Sequence, residues 1–350
     1  WQIYRGDPNW VPLLRSDLKK RLDRSKYPFF EHAEAEFFIA RRDGRIIGRV
    51  AAIKNDNYIA FHNEPVGFFG LFECIQDAEV AAGLFSHAAD WLRARSLKVM
   101  RGPANYSSND EWGLLIDGFD LPPMIMMPYN PRYYIDLIEG VGFQKAKDLL
   151  AYEMTDEVPL SDRLVRTVEH IKRRKKVTIR SLVKKHINQE VQRVKEIYNS
   201  AWEKNWGFVP MTDHEIDHMA KELIQIVDPD LVLFAEVEGE PVAFILPLPD
   251  FYHALKHANG RLFPFGLLKI LWHARKIDAV RIFAFGIKEA YRRQGIDALL
   301  YYEVYKVGVE KGYRRGELSW ILEDNTLMNR AIENMGAKVY KRYRIYDYSL

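Results

Sequence analysis

Val280–Val304 reads VRIFAFGIKEAYRRQGIDALLYYEV. An apolar strand runs into a short turn, then Arg292, Arg293 and Gly295, then an amphipathic helix. A helix start leaves main-chain N–H groups unpaired and carries a partial positive charge. Two arginines and a glycine at such a start let a phosphate approach the bare backbone. The stretch therefore predicts an anion site, most simply for a nucleotide-like pyrophosphate. The strings G-x-x-x-x-G-K-[ST] and G-x-G-x-x-G, which mark two common phosphate-binding folds, do not occur in the chain.

The residues that follow extend the pattern. Gly316–Asn325, GELSWILEDN, alternates Leu318, Trp320 and Leu322 as a strand does. Thr326–Met335 has helical spacing and stops at Gly336, a C′ glycine. Val339–Tyr348, VYKRYRIYDY, makes a last strand. Strand, phosphate turn, helix, strand, Asn, helix, Gly, strand resembles the C-terminal half of the GNAT (Gcn5-related N-acetyltransferase) superfamily. Arg292-x-x-Gly295-x-Asp297 resembles its motif A, R/Q-x-x-G-x-G/A, with Asp297 where Gly or Ala is usual. A carboxylate there stabilises the helix start and repels a phosphate unless it points away. The likeness is strongest over Leu231–Leu350.

The resemblance implies a set of site residues. Arg292, Arg293 and Gly295 would cradle the pyrophosphate of coenzyme A. The strand amides near Phe285 and Ile287 would hold pantetheine and polarise the thioester carbonyl, and Asn325 would contact pantetheine. Glu323, at the C-terminal end of its strand, is the candidate base. The family's thiolate-protonating Tyr falls on Ile332 here, and on Ile138 in the first half, which leaves the acid unassigned. Trp202, Asn205 and Trp206, in AWEKNWGFVP, fall where acceptor loops lie.

The chain's 350 residues suffice for two domains with sizeable cores. Charged residues at 28% and a net charge of +3 describe a globular protein and give no argument for a nucleic-acid partner. The single cysteine, Cys74, excludes an internal disulfide framework and fits the reducing cytoplasm. No run of eighteen apolar residues predicts a membrane span. The chain begins at Trp1 rather than Met, so a preceding segment is expected.

The chain also repeats itself. Phe37–Ile53 and Leu231–Leu248 each read as a hairpin, turning at Asp43-Gly44 and at Glu238-Gly239-Glu240. Gly67–Cys74 and Val280–Ile287 are apolar strands, each leading to an amphipathic helix. Asn130 and Asn325 each open a helix that ends at a glycine, Gly142 or Gly336, with a strand after it. The expected architecture is α/β (α+β). Two tandem GNAT-like domains, 1–157 and 158–350, would each have a mixed, mostly antiparallel sheet flanked by helices. In the first, IQDAEVAAG offers Asp77 and Glu79 where the second offers arginines, so it is expected to be degenerate.

Three further stretches call for a reading. Arg101–Pro128 is a long Gly- and Pro-rich connection, a surface loop or a substrate wall. Asp250–Asp278 interrupts a hairpin that the resemblance would close tightly. It carries Phe265, Leu268, Leu271 and Trp272 on one helical side beside Lys269, His273, Arg275 and Lys276. Such a helix packs on its neighbour, covers a lipid tail or lies on a membrane. His214-Glu215-x-x-His218 matches the zincin pattern, yet Thr212 and Glu215 also spell a capping box. The basic run Lys172–Lys176 reads as a solvated helix end.

The expected function is acyl transfer from acetyl-CoA or a longer acyl-CoA to a small-molecule or lipid amine, such as a sphingoid base. The expectation includes no metal and peripheral contact at the inner face of the membrane. Phe265 and Trp272, with Asn205 and Trp206, are the candidate substrate contacts. The alternatives are a non-catalytic acyl-CoA- or lipid-binding protein and a zinc peptidase.

Overall fold

The computed structural model describes residues 2–174, 177–202 and 205–350. The chain divides into two compact units that are not single stretches. One holds Trp1–Leu150, Leu255–Ile270 and Lys341–Leu350; the other holds Ala151–Ala254 and Leu271–Tyr340. A division near residue 157 therefore does not describe all of the chain, because the last ten residues fall in the first unit.

In the first unit, α1 (Arg15–Leu22) precedes the hairpin of β1 (Ala33–Arg42) and β2 (Arg45–Asn55). Asp43 and Gly44 at the turn have φ of 51° and 75°. Two left-handed residues give the turn a twist that matches the strands. Next come α2 (Asp56–His62), β3 (Val66–Cys74), α3 (Ala78–Arg93) and β4 (Val99–Gly102). α3 buries Ala81, Leu84, Phe85, Ala88 and Leu92, as its spacing predicts, against Phe69 and Phe72 of β3. The stretch read as a loop contains β5 (Ala104–Asn105), β6 (Glu111–Trp112) and β7 (Leu114–Asp117). α4 (Tyr134–Val141) ends at Gly142, with φ of 105°. Asn130 does not cap it; its amide bonds both main-chain groups of Leu115, at 2.8 and 3.1 Å.

β8 (Gln144–Thr155) and α5 (Asp162–Arg174) follow. The expected basic helix end is described only as far as Arg174; Lys175 and Lys176 lie outside the described residues. The second unit continues with β9 (Val177–Ser181), α6 (Ile187–Trp202), α7 (Asp213–Leu223), β10 (Leu233–Val237) and β11 (Glu240–Pro249). Then come α8 (Phe251–Leu255), α9 (Gly266–Ala274), β12 (Ala279–Ile287) and α10 (Ile296–Glu310). β13 (Arg315–Leu322), α11 (Thr326–Asn334) and β14 (Lys338–Ser349) end the chain. β14 pairs with β4 and β7 through its later residues.

Strands β9 to β13 lie in the order β9-β10-β11-β12-β13. Alternation along β10 sorts the two faces. Leu233 and Ala235 pack under Ile296, Leu300 and Val304 of α10, whereas Phe234 packs with Ile197 of α6. β12 is thus sandwiched between helices and is apolar apart from Arg281, which is buried and pairs with Glu317 and Ser319 of β13.

Candidate active site

The site starts where two strands part. β12 stays antiparallel to β11 along its length, out to Ala243↔Ile287. Its parallel pairing with β13 stops at Ile282↔Leu318, although β13 runs on to Leu322. Among the described residues, Phe283–Ile287 therefore have no strand partner on the β13 side. A main-chain seam of this kind can accept an extended ligand arm as a strand would.

Helix α6 forms one wall. A Cβ at Gly286 would lie 3.2 Å from Ile197 and 3.3 Å from Ala201, so the bare glycine lets α6 approach the strand. That approach brings Trp202 Nε1 within 3.0 Å of the Phe285 carbonyl, to which it donates. The Phe285 ring stacks on Tyr301 of α10 at 5.1 Å.

The turn after β12 closes the end of the seam. Arg292 donates to the carbonyls of Ile287 (3.3 Å) and Ala201 (2.6 Å), which ties the turn to both walls while the residue stays exposed. Arg293 is exposed and left-handed, with φ of 58°. Gly295 is the N-cap of α10 with φ of 81°, and it makes no side-chain cap bond. A Cβ there would lie 2.3 Å from Ile171 Cδ1 of α5, so the position excludes side chains on two counts. Asp297 sits in the first turn of α10.

The opposite wall is the end of β13 with α11. Asn325 caps α11 by accepting from the Met328 amide at 3.2 Å, as an N-cap does. Asn329, not singled out from the sequence, donates to the carbonyls of Leu322 (3.1 Å) and Glu323 (3.2 Å). It accepts from the Tyr152 hydroxyl at 3.1 Å. Its signal in the sequence was a polar residue on the buried stripe of α11. Glu323 is half-buried, and Ile332 is fully buried. The Tyr301 hydroxyl lies 3.9 Å from the Met328 thioether. Burial raises its pKa well above the ordinary tyrosine value, and Asp297 adds to the rise. Tyr301 was also missed; its only mark was the i,i+4 spacing from Asp297.

A narrow apolar cavity of about 70 Å³ lies beside the point where β12 and β13 part. Val280, Ile282, Leu318, Tyr301, Val304 and Gly308 are among its lining residues. A larger open cavity of about 410 Å³ lies on the other flank of α10, around the Lys172–Glu303 ion pair.

The remaining predicted residues lie as follows. Asn205 continues the turn from α6, its amide bonding the Trp202 carbonyl at 2.8 Å. Asn205 and Trp206 are half-buried. Phe265 and Trp272 are 64% and 61% exposed, and line neither cavity. The Thr212–Glu215 capping box is fully formed, which engages the glutamate that a zincin would use as base. His214 is exposed, and Ile216 and Leu223 form the buried stripe of α7.

The corresponding helix start in the first unit is closed by its own side chain. Asp77 Oδ1 accepts from the amides of Glu79 (3.0 Å) and Val80 (3.2 Å), and Oδ2 pairs with Arg42 at 2.9 Å. The arginine hydrogen bond is the chief cause holding this carboxyl below its ordinary pKa. Where β3 leaves β4, the Leu71 amide bonds Asn105 Oδ1 at 2.7 Å, so the chain itself fills that edge.

A parallel-strand seam ending at a helix N-terminus with arginines beside it can take an extended arm that ends in an anionic group. Residues 191–337 match the acetyltransferase (GNAT) family. The chain is 36% identical over 352 residues to protein YghO of Escherichia coli (strain K12), covering 99% of this chain and 90% of that one. It is 37% identical over 359 residues to the bacterial ceramide synthase of Caulobacter vibrioides (strain NA1000 / CB15N), covering 98% and 91%. It shares its fold with the tandem GNAT protein from the clavulanic acid biosynthesis pathway. There the TM-score is 0.53 at 11% identity, over 97% of this chain and 90% of that one. The chain belongs to the GNAT family and is an N-acyltransferase of tandem GNAT architecture. Enzymes of this family use acyl-CoA as co-substrate and act on small-molecule amines.

Proposed function

We propose that this chain transfers an acyl group longer than acetyl from a CoA thioester to the amine of a long-chain, sphingoid-like acceptor at a membrane. The observation that carries the donor half is the open β12 seam ending at the Arg292–Gly295 turn. The acceptor half rests on the 37% identity to a protein named bacterial ceramide synthase.

In this reading Arg292, Arg293 and the α10 amides after Gly295 hold the pyrophosphate. Phe285 and Ile287 hold pantetheine and direct N–H groups at the thioester oxygen, where the negative charge of the tetrahedral intermediate develops. Asn325 frames the opposite side. Glu323 takes the proton from the ammonium so that the nitrogen can attack. The C–N bond forms, the C–S bond breaks, and the thiolate needs a proton. Tyr301, whose ring stacks on Phe285 beside the seam, is assigned that donor role. Asn205 and Trp206 border the acceptor side. The acyl tail enters the cavity beside Val280 and Leu318, and the first unit serves as a degenerate partner domain without coenzyme.

The test is transfer itself. Purified protein is supplied with acetyl-CoA or palmitoyl-CoA and with sphinganine or a short primary amine. Amide formation with the long-chain pair at a much higher kcat/KM than with the short pair is expected. Equal rates for all pairs would reject the long-chain assignment, and no CoA release with any pair would reject the coenzyme assignment. The zinc-peptidase alternative finds no support once Glu215 is engaged as a cap.

A further inference from the structure

We infer that α9 and the loop before it form a docking surface for an anionic lipid bilayer. The inference deepens the lipid-acceptor reading above by naming the surface and the charge of its partner. Phe263, Phe265, Leu267, Leu268, Leu271 and Trp272 are 46% to 80% exposed. On a helical wheel the four within α9 fall inside an arc of roughly 140°, while Gly266 is buried on the other side. Single exposed apolar side chains are ordinary, but six adjacent ones form a patch of the kind that marks an interaction site.

The charges around the patch identify the partner. Residues 251–277 carry Lys256, Arg261, Lys269, Arg275 and Lys276 and no carboxylate. All five cations are exposed. Lys269 falls at the edge of the apolar arc, and Lys276, just past the end of α9, lies 5.7 Å from the Trp272 ring. Apolar side chains on one face with cations at the rim suit the boundary between acyl chains and phosphate headgroups. The uniform charge disfavours a second copy of the same patch, which would set five cations against five. It favours a surface of negative lipids, which attracts clustered Lys and Arg.

Main-chain contacts join the approach loop to the helix. Gly266 opens α9 with its Cα against the Arg261 carbonyl, where a Cβ would lie at 1.7 Å. The Leu267 amide bonds the Leu262 carbonyl at 2.8 Å, and Lys269 bonds that of Phe265 at 3.0 Å, which holds the approach loop onto the helix start.

Co-sedimentation with vesicles, in the absence of acyl-CoA and amine, tests the inference. Vesicles of phosphatidylcholine alone and with about a third phosphatidylglycerol are compared. The whole chain is expected to bind the anionic vesicles at least tenfold more tightly, and less tightly as salt rises. Leu268→Ser with Trp272→Ser should lower that binding at least tenfold, and so should Lys269→Glu with Lys276→Glu. Ile39→Ser with Ile46→Ser, an exposed apolar pair on the β1–β2 hairpin, should not. Circular dichroism checks that each variant is folded. Absence of anionic-vesicle binding, or binding untouched by both α9 variants, overturns the inference. So does a concentration-dependent dimer that the α9 variants dissolve. Transfer between water-soluble short-chain substrates is measured separately. Absence of transfer with both this pair and the palmitoyl-CoA and sphinganine pair, with vesicle binding intact, would reject the enzymatic reading and leave this one standing.

Discussion

Asp77 and Gly295 hold corresponding places, each the N-cap of its helix, and behave oppositely. The Asp77 carboxylate occupies the amides of its own helix start, whereas the Gly295 position leaves those of α10 without a side-chain cap. Arg292→Glu is therefore expected to abolish stabilisation of the protein by acyl-CoA in a thermal shift, while Asp77→Ala leaves it intact. Asp77→Ala should instead lower stability through the lost cap. The pH dependence has a definite sign. The folded pKa of Asp77 lies below 3.8, so its contribution is complete above that value and fades as pH falls through the folded pKa. Chemical denaturation of the two proteins at pH 7 and at pH 3 checks this, and a gap that widens in acid would contradict it. Tyr301→Phe removes only the hydroxyl near Met328. A fall in kcat of roughly 10²-fold is expected from loss of a proton donor, with KM for acyl-CoA and thermal stability nearly unchanged. Equal losses in kcat and stability would make Tyr301 a packing residue.

The two β-α-β elements that decide function differ in what fills the opening between their strands. In the first unit Asn105 bonds the β3 edge; in the second the β12 edge beyond Ile282 is not paired with β13, with Trp202 fixing one carbonyl. The cavity beside the seam is small and lined mostly by apolar side chains. Gly308 of α10 borders it, and a Cβ there meets only Tyr313, at 4.0 Å. Gly308→Leu would project into the cavity without a backbone clash. It is expected to lower kcat/KM for long-chain donors at least tenfold relative to acetyl-CoA, since each methylene left in water forgoes about 0.8 kcal/mol. A uniform loss for all donors would show that the tail lies elsewhere. Helix starts impose a second constraint. Gly295→Ala should destabilise by about 1–3 kcal/mol, because a side chain at φ of 81° is strained and meets Ile171. Pairing it with Ile171→Ala should recover only the contact part, read from urea midpoints.

At the scale of the whole molecule, metal content separates acyl transfer from the peptidase alternative. Elemental analysis of the purified chain should find no stoichiometric zinc, and a chelator should leave both Tm and transfer rate unchanged. One tightly held zinc per chain, with activity lost on chelation, would reverse the assignment of His214 and His218.

Local chemistry was legible in the sequence because its rules act within a few residues. The Asp43-Gly44 turn, the Thr212–Glu215 capping box, the stripes of α3 and α10 and the N-cap role of Asn325 all follow from spacing and residue type. So did the turn before α10, since a strand, two arginines and a glycine at a helix start stand next to one another in the chain. Only the tertiary structure could reveal that Asn329 holds the end of β13, that Tyr301 stacks on Phe285, or that Asn130 braces Leu115 instead of capping a helix. Each of these depends on which residues distant in sequence face one another. The α9 stripe shows the limit most plainly. Periodicity establishes that its apolar residues share a face, but the same pattern serves a core-facing helix and an exposed one. Which of the two it is depends on the surrounding chain, which here leaves that face open to solvent.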